Sequence, residues 1–129
     1  MTEQIKVVAI LEDDPLVLRA VERMVLFHGY CARPFFSAEE FLQAVATLQV
    51  DCLVTDIHLG DYCGIDLVHL MLSALDVEIP VIFMTGSNDE LLRKQAAEVG
   101  CVAYLQKPFQ AELLIAAIER ATGRKIDPA

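Results

Sequence analysis

A chain of 129 residues is long enough for one domain and too short for two ordinary ones. With 55% hydrophobic and 22% charged residues it is globular, neither disordered nor fibrous, and its mean hydropathy of +0.45 comes from no apolar run of the roughly 18 residues that a membrane span requires. A formal charge of −9 argues against direct nucleic-acid binding, because phosphate backbones need Lys/Arg patches.

The first six residues lack the basic start and long apolar region of a signal peptide, so the expectation is a soluble, cytoplasmic protein without a membrane segment. Cys31, Cys52, Cys63 and Cys101 form no C-x-x-C pair, and no histidines stand at zinc spacing from them. They read as reduced thiols.

In chain order, the run over 5–11 is almost continuously hydrophobic and suits a central parallel strand covered on both faces. Glu12, Asp13 and Asp14 follow it. Asp14-Pro15 supplies an N-cap and a proline at the first helical position, and Val17, Val21 and Met24 fall on one helical face that should stop near Gly29. The second run, 31–35, contains Arg33 and Pro34 and reads as an edge strand. Ser37-Ala38-Glu39-Glu40 has capping-box spacing, with Phe36 and Phe41 in staple positions. The third run, 52–55, ends against Asp56, and Gly64 opens a helix with Leu67, Leu70 and Met71 on its apolar face. A fourth run over 81–84 leads to Thr85. Ser87-Asn88-Asp89-Glu90 then reads as a second capping box, whose helix ends at Gly100. The fifth run, 102–105, precedes Lys107 and Pro108, and a last helix from about 110 to 121 presents Leu113, Leu114, Ala117 and Ile118.

Short Val/Ile-rich runs alternating with helical stretches imply βαβ units and a parallel sheet. Five of each predict an α/β, flavodoxin-like, doubly wound five-stranded parallel sheet, ordered 2-1-3-4-5, with five helices. Ligands in such folds bind beyond the carboxyl ends of the strands, at the switch point between the first and third.

Four strand ends carry polar side chains: Glu12 and Asp13, Asp56, Thr85, and Lys107. Clustered carboxylates in a partly buried site need a cation, and oxygen ligands with room for water suit magnesium. A carboxylate can also act as a nucleophile toward phosphorus. Asp56 stands alone at the end of a buried strand, whereas Glu12 and Asp13 are adjacent and suited to holding an ion. Lys107 would supply an ammonium and Thr85 a hydroxyl to a transferring phosphoryl group. Each has an ordinary reading on its own: a charged helix start, a turn aspartate, a Thr-Gly turn, a solvated lysine. Their coincidence at the inner strand ends favours the joint reading.

These motifs, namely Ile10-Leu11-Glu12-Asp13-Asp14-Pro15, Cys52-Leu53-Val54-Thr55-Asp56, Gly64, Pro80-Val81-Ile82-Phe83-Met84-Thr85-Gly86 and Tyr104-Leu105-Gln106-Lys107-Pro108-Phe109, resemble the receiver domains of bacterial two-component response regulators. The similarity covers residues 5–121, and the stretch over 36–42 looks like the subgroup often joined to helix-turn-helix output domains. The resemblance implies that Asp56 accepts phosphate from a histidine kinase or histidine phosphotransfer protein. It implies Mg2+ bound by Asp13 and Asp56, by Glu12 through water and by the backbone carbonyl of His58. It further implies that Thr85 and Lys107 contact the phosphoryl group, that Thr85 and Tyr104 move together as a switch, and that the Lys107–Pro108 bond is cis. The loop after the acceptor reads Ile57-His58-Leu59-Gly60-Asp61-Tyr62-Cys63-Gly64, without the Met-Pro pair common in the family, and Glu12 stands where many members have Asp. His58 is expected to face solvent at the pocket rim, where it could tune hydrolysis of the acyl phosphate.

Residues 1–121 are thus expected to form the receiver domain, and 122–129 a tail or linker stub. Such a protein is not an enzyme toward other substrates and catalyses only its own phosphorylation and dephosphorylation. Its partner is a downstream protein or an output domain outside this chain, and a homodimer is compatible with the sequence. The rival readings are a receiver-like interaction module without phosphoryl turnover and a small phosphatase.

Overall fold

A computed structural model describes residues 4–60 and 62–123. Its strands are β1 (Val7–Leu11), β2 (Cys31–Phe35), β3 (Cys52–Asp56), β4 (His58–Leu59), β5 (Tyr62–Cys63), β6 (Val81–Thr85) and β7 (Ala103–Gln106). The helices are α1 (Pro15–Phe27), α2 (Ala38–Val45), α3 (Gly64–Ser73), α4 (Glu90–Val99) and α5 (Ala111–Thr122). Five strands form one parallel sheet ordered β2-β1-β3-β6-β7. Setting aside the short arms β4 and β5, this is the expected 2-1-3-4-5 order. The two arms pair antiparallel as a hairpin that hydrophobic periodicity does not reveal. Residue 61, on which part of the expected Gly60-Asp61 turn falls, and residues 124–129 lie outside the described residues.

Because successive side chains of a strand point to opposite faces, the sheet splits the core in two. Ala9, Leu11, Leu53 and Phe83 pack with Phe41 of α2, Leu67 and Met71 of α3 and Ala96 of α4. Val8, Ile10, Val54, Ile82 and Met84 pack on the other face with Leu18, Val21 and Val25 of α1 and Leu114, Ala117 and Ile118 of α5. Every residue of β3 and β6 is buried, while Arg33 and Pro34 on edge strand β2 are exposed. No helix among the described residues is long and apolar enough to cross a membrane. The four cysteines are free, and burial pushes the Cys52 thiol up to about 12.

Helix starts follow the sequence in part. Asp14 caps α1, its carboxylate accepting from Leu16 N at 2.9 Å, with Pro15 at the first helical position. The buried face of α1 is centred on Leu18, Val21 and Val25, with Val17 and Met24 as its flanks. Ser37 Oγ accepts from Glu40 N at 3.2 Å, but the Glu40 carboxylate reaches Phe36 N and not Ser37 N. The expected pairing of Phe36 with Phe41 is replaced by an edge-on contact of Phe35 with Phe41, centroids 5.4 Å apart. The cause is strand alternation: Phe35 points inward, so Phe36 turns out and is half exposed.

The second capping box does not form. Asp89 caps α4 through Leu91 N at 2.9 Å, leaving Ser87 outside the helix with its N–H given to Thr85 Oγ1. In α5 the core position expected of Leu113 belongs to Ile115, and Leu113 is exposed.

Phe41 is fully buried against Phe35, so Phe41→Ala should lower unfolding stability by about 3–5 kcal/mol. Urea unfolding of the variant checks this, and a loss under about 1 kcal/mol would mean that the ring is not part of the core.

Candidate functional site

The parallel register brings four distant strand ends to one edge. Leu11 pairs with Thr55, Asp56 with Met84, and Thr85 with Gln106, so Glu12, Asp56, Thr85 and Lys107 arrive at neighbouring positions. Backbone bonds carry the ladder past the strand ends: Ile57 N donates to Met84 O at 3.0 Å and Lys107 N to Thr85 O at 2.7 Å. The Lys107–Pro108 bond is cis.

At the centre lies one ammonium between two carboxylates. Lys107 Nζ donates to Glu12 Oε2 at 2.7 Å and to Asp56 Oδ2 at 2.5 Å. The remaining oxygens are also engaged, Asp56 Oδ1 by His58 N at 2.8 Å and Glu12 Oε1 by Asp14 N at 3.1 Å. Glu12 is 1% exposed and Asp56 6%, so neither charge is solvated by bulk water. Burial pushes the Glu12 carboxyl up to about 7, against the opposing pull of Lys107 and the Asp14 N–H. For Lys107, burial alone would lower the pKa, but the hydrogen bonds to Asp56 and Glu12 outweigh it and hold the ammonium above the usual lysine range.

Thr85 is fully buried, with Oγ1 accepting from Ser87 N at 3.0 Å. Beside it the Tyr104 hydroxyl is buried without a hydrogen bond of normal geometry, and burial raises the phenol pKa. The Arg93 guanidinium stands over the Tyr104 ring, 5.6 Å from its centroid. Gly64 closes the site from the far side of the hairpin: a Cβ there would lie 2.6 Å from the Asp56 carbonyl oxygen, a distance no side chain tolerates. Gly64 N donates to Ile57 O at 2.7 Å, pinning the start of α3 to the end of β3.

The structure therefore joins Glu12, Asp56 and Lys107 in direct contact and sets Thr85 and Tyr104 alongside. Asp13 is exposed, and no hydrogen bond or ion pair among the described residues ties it to the others. The His58 imidazole is exposed, and its backbone meets Asp56. Among the described residues no three His, Cys, Asp or Glu side chains are gathered closely enough to hold a metal ion. The carboxylates present at this edge, Glu12 and Asp56 with Asp13 nearby in sequence, are oxygen ligands of the kind magnesium takes singly or in pairs beside several waters. The donor set at this edge is oxygen only, and the elevated Glu12 carboxyl shows that Lys107 does not fully compensate its burial. Sequence reasoning singled out Gly64 as a helix start and as part of the resemblance, but missed its approach to the Asp56 carbonyl and the stacking of Arg93 on Tyr104.

The family model described as "Response regulator receiver domain" matches residues 8–119. The response regulator protein TmoT of Ectopseudomonas mendocina is 35% identical over 121 residues, which is 94% of this chain and 54% of that protein. The transcriptional regulatory protein FixJ of Rhizobium meliloti is 33% identical over 115 residues, 89% of this chain and 56% of that protein. The chain thus spans about half the length of the curated relatives it matches. The crystal structure of FixJ-N superimposes with a TM-score of 0.86 at 30% identity, covering 97% of this chain and 99% of that one.

The Glu12 carboxyl gives a pH signature. Its folded pKa lies above the ordinary 4.5, so the stability it contributes is present below that value and is lost as pH rises through about 7. In magnesium-free buffer, Glu12→Gln should be less harmful, or stabilising, at about pH 8 relative to about pH 5, by on the order of 2–3 kcal/mol. Urea unfolding of both proteins at the two pH values measures this, and an equal difference at both would refute it.

Proposed function

We propose that this chain, which belongs to the response regulator receiver domain family, is a phosphoacceptor switch phosphorylated on Asp56 in a magnesium-dependent reaction. Members of this family are signalling switches of two-component systems and not classical enzymes. The observation that carries the reading is the Asp56 carboxylate, held at a buried strand end with Oδ2 on Lys107 and Oδ1 on the His58 N–H. That aspartate is pre-oriented and stands next to a cation.

The donor would be a phosphohistidine of a histidine kinase or histidine phosphotransfer protein. An Asp56 oxygen attacks phosphorus, the P–N bond breaks, the electron pair leaves with the imidazole, and an acyl phosphate remains. Lys107 then turns its ammonium toward a phosphoryl oxygen, and the Thr85 hydroxyl offers a donor to another. Glu12, Asp13, Asp56 and the His58 backbone carbonyl are the groups that would hold Mg2+. The bound ion would supply positive charge to the equatorial oxygens and to the carboxylates.

Drawing Thr85 toward the phosphoryl group alters what the Tyr104 hydroxyl faces, and so shifts the population of surfaces built by α4, β7 and α5. The target would be a downstream protein or an output domain. The net charge of −9 makes this domain itself unsuited to nucleic acid. Residues 1–121 would be the switch and 122–129 a tail or linker, acting in the cytoplasm.

Beryllofluoride or acetyl phosphate with magnesium should give an adduct in the wild type and none in Asp56→Asn, read by intact mass or 19F NMR. No adduct in either protein would leave a receiver-like interaction module. His58→Ala should keep the acceptor but change the half-life of the acyl phosphate. An unchanged half-life would remove His58 from any part in signal lifetime.

A further inference from the structure

The Tyr104 ring is held by two opposed effects. Its hydroxyl oxygen is buried with no hydrogen-bond partner of normal geometry, and such an orphan is a standing penalty against this ring position. The neighbouring Thr85 hydroxyl, whose oxygen accepts from Ser87 N, acts on the phenol but makes no hydrogen bond of normal geometry to it in this arrangement. Against that penalty stands Arg93 of α4, whose guanidinium lies 5.6 Å from the ring centroid. At that distance a cation over a tyrosine face is attracted to the ring quadrupole. Rotated toward solvent, the ring would satisfy its hydroxyl with water and lose the stack.

We propose that Arg93 is a positioning residue: stacked on Tyr104, it holds the phenol inward beside Thr85 and sets how far the resting protein already occupies that arrangement. This rests on the reading that Thr85 and Tyr104 form the switch, and it adds the group that biases the switch before any phosphoryl group arrives. The geometry explains why the bias comes from α4. Tyr104 belongs to the last strand of the sheet and Arg93 to the helix before it, so the stack ties the helix to the strand on the face proposed to change. Asp89 and Glu90, at the start of the same helix, also act on the Tyr104 phenol.

The test uses the whole chain labelled with 3-fluorotyrosine. Tyr30, Tyr62 and Tyr104 give three 19F resonances, and the one lost in Tyr104→Phe is that of Tyr104. Its solvent isotope shift reports ring exposure. Arg93→Ala should shift the inward-to-outward ratio toward solvent by about two- to fivefold, and Arg93→Lys should recover part of this. Two results would overturn the proposal. One is a Tyr104 resonance identical in wild type, Arg93→Ala and Arg93→Lys; the other is a lysine variant that moves as far as the alanine variant, which would mean general loosening of α4.

Adding beryllofluoride with magnesium separates this proposal from the phosphoacceptor reading. If all variants form the adduct while Tyr104 ignores Arg93, only the positioning role falls. If the wild type forms no adduct but the resting resonance follows Arg93, the phosphoacceptor reading falls and the positioning role stands.

Discussion

One ammonium between two buried carboxylates organises this protein. Glu12 and Asp56 sit at adjacent strand ends, almost without solvent, where two negative charges could not both persist unless a cation stood between them. Lys107 provides it, from 95 residues beyond Glu12 and 51 beyond Asp56. No local segment could assemble such a contact. It exists only because β1, β3, β6 and β7 run parallel and in register, so that all their carboxyl ends reach the same edge. The chemistry of the pocket is therefore a consequence of sheet order.

That order has a physical requirement of its own. A parallel sheet buried on both faces needs helices on both, and the two apolar clusters meet it, one under α2, α3 and α4 and the other under α1 and α5. β3, which carries Asp56, is buried along its whole length, so its end cannot drift relative to its neighbours. Gly64 fixes the remaining approach. A backbone pressed to within a methyl group's width of the Asp56 carbonyl leaves the hairpin little freedom, and the His58 N–H that meets the Asp56 carboxylate is presented by that hairpin.

Much of this was legible in the chain because it is written locally. Apolar runs gave the five strands, Asp14-Pro15 gave the start of α1, Arg33 and Pro34 gave the edge, and the polar residues after the inner strands gave the cluster of Glu12, Asp56 and Lys107. What escaped depends on choices that are not local. Ser87 and Asp89 both stand at N-cap spacing, and the structure places the helix start at Asp89, whose carboxylate accepts from Leu91 N, while the Ser87 N–H goes to Thr85 Oγ1. Phe36 and Phe35 are equally aromatic, and only the phase of β2 decides which faces Phe41. The hairpin of β4 and β5 is too short for any periodicity, and the meeting of Arg93 with Tyr104 joins residues of two different elements. Asp13 is the instructive case at the site. Adjacent to Glu12 in sequence, it is its opposite in burial: Glu12 continues the β1 ladder with its N–H on Phe35 O, and Asp13 is exposed.

The same ammonium that stabilises the resting pocket also occupies one oxygen of Asp56. Under the phosphoacceptor reading this makes Lys107 both a ground-state partner and a transition-state donor, and the two roles compete. A group that only held Asp56 would stabilise the resting protein and slow transfer, because binding spent on the ground state does not lower the barrier. The competition is eased if positive charge from a divalent ion takes over the neutralisation of Glu12 and Asp56, freeing the lysine to follow the phosphoryl oxygens. Burial raises the Glu12 carboxyl against the opposing pull of Lys107, the direction expected where one cation serves two buried carboxylates. Under that reading, metal dependence and lysine mobility become one constraint: the charge that a divalent ion would take over is the charge that holds Lys107 between Glu12 and Asp56 in the resting protein.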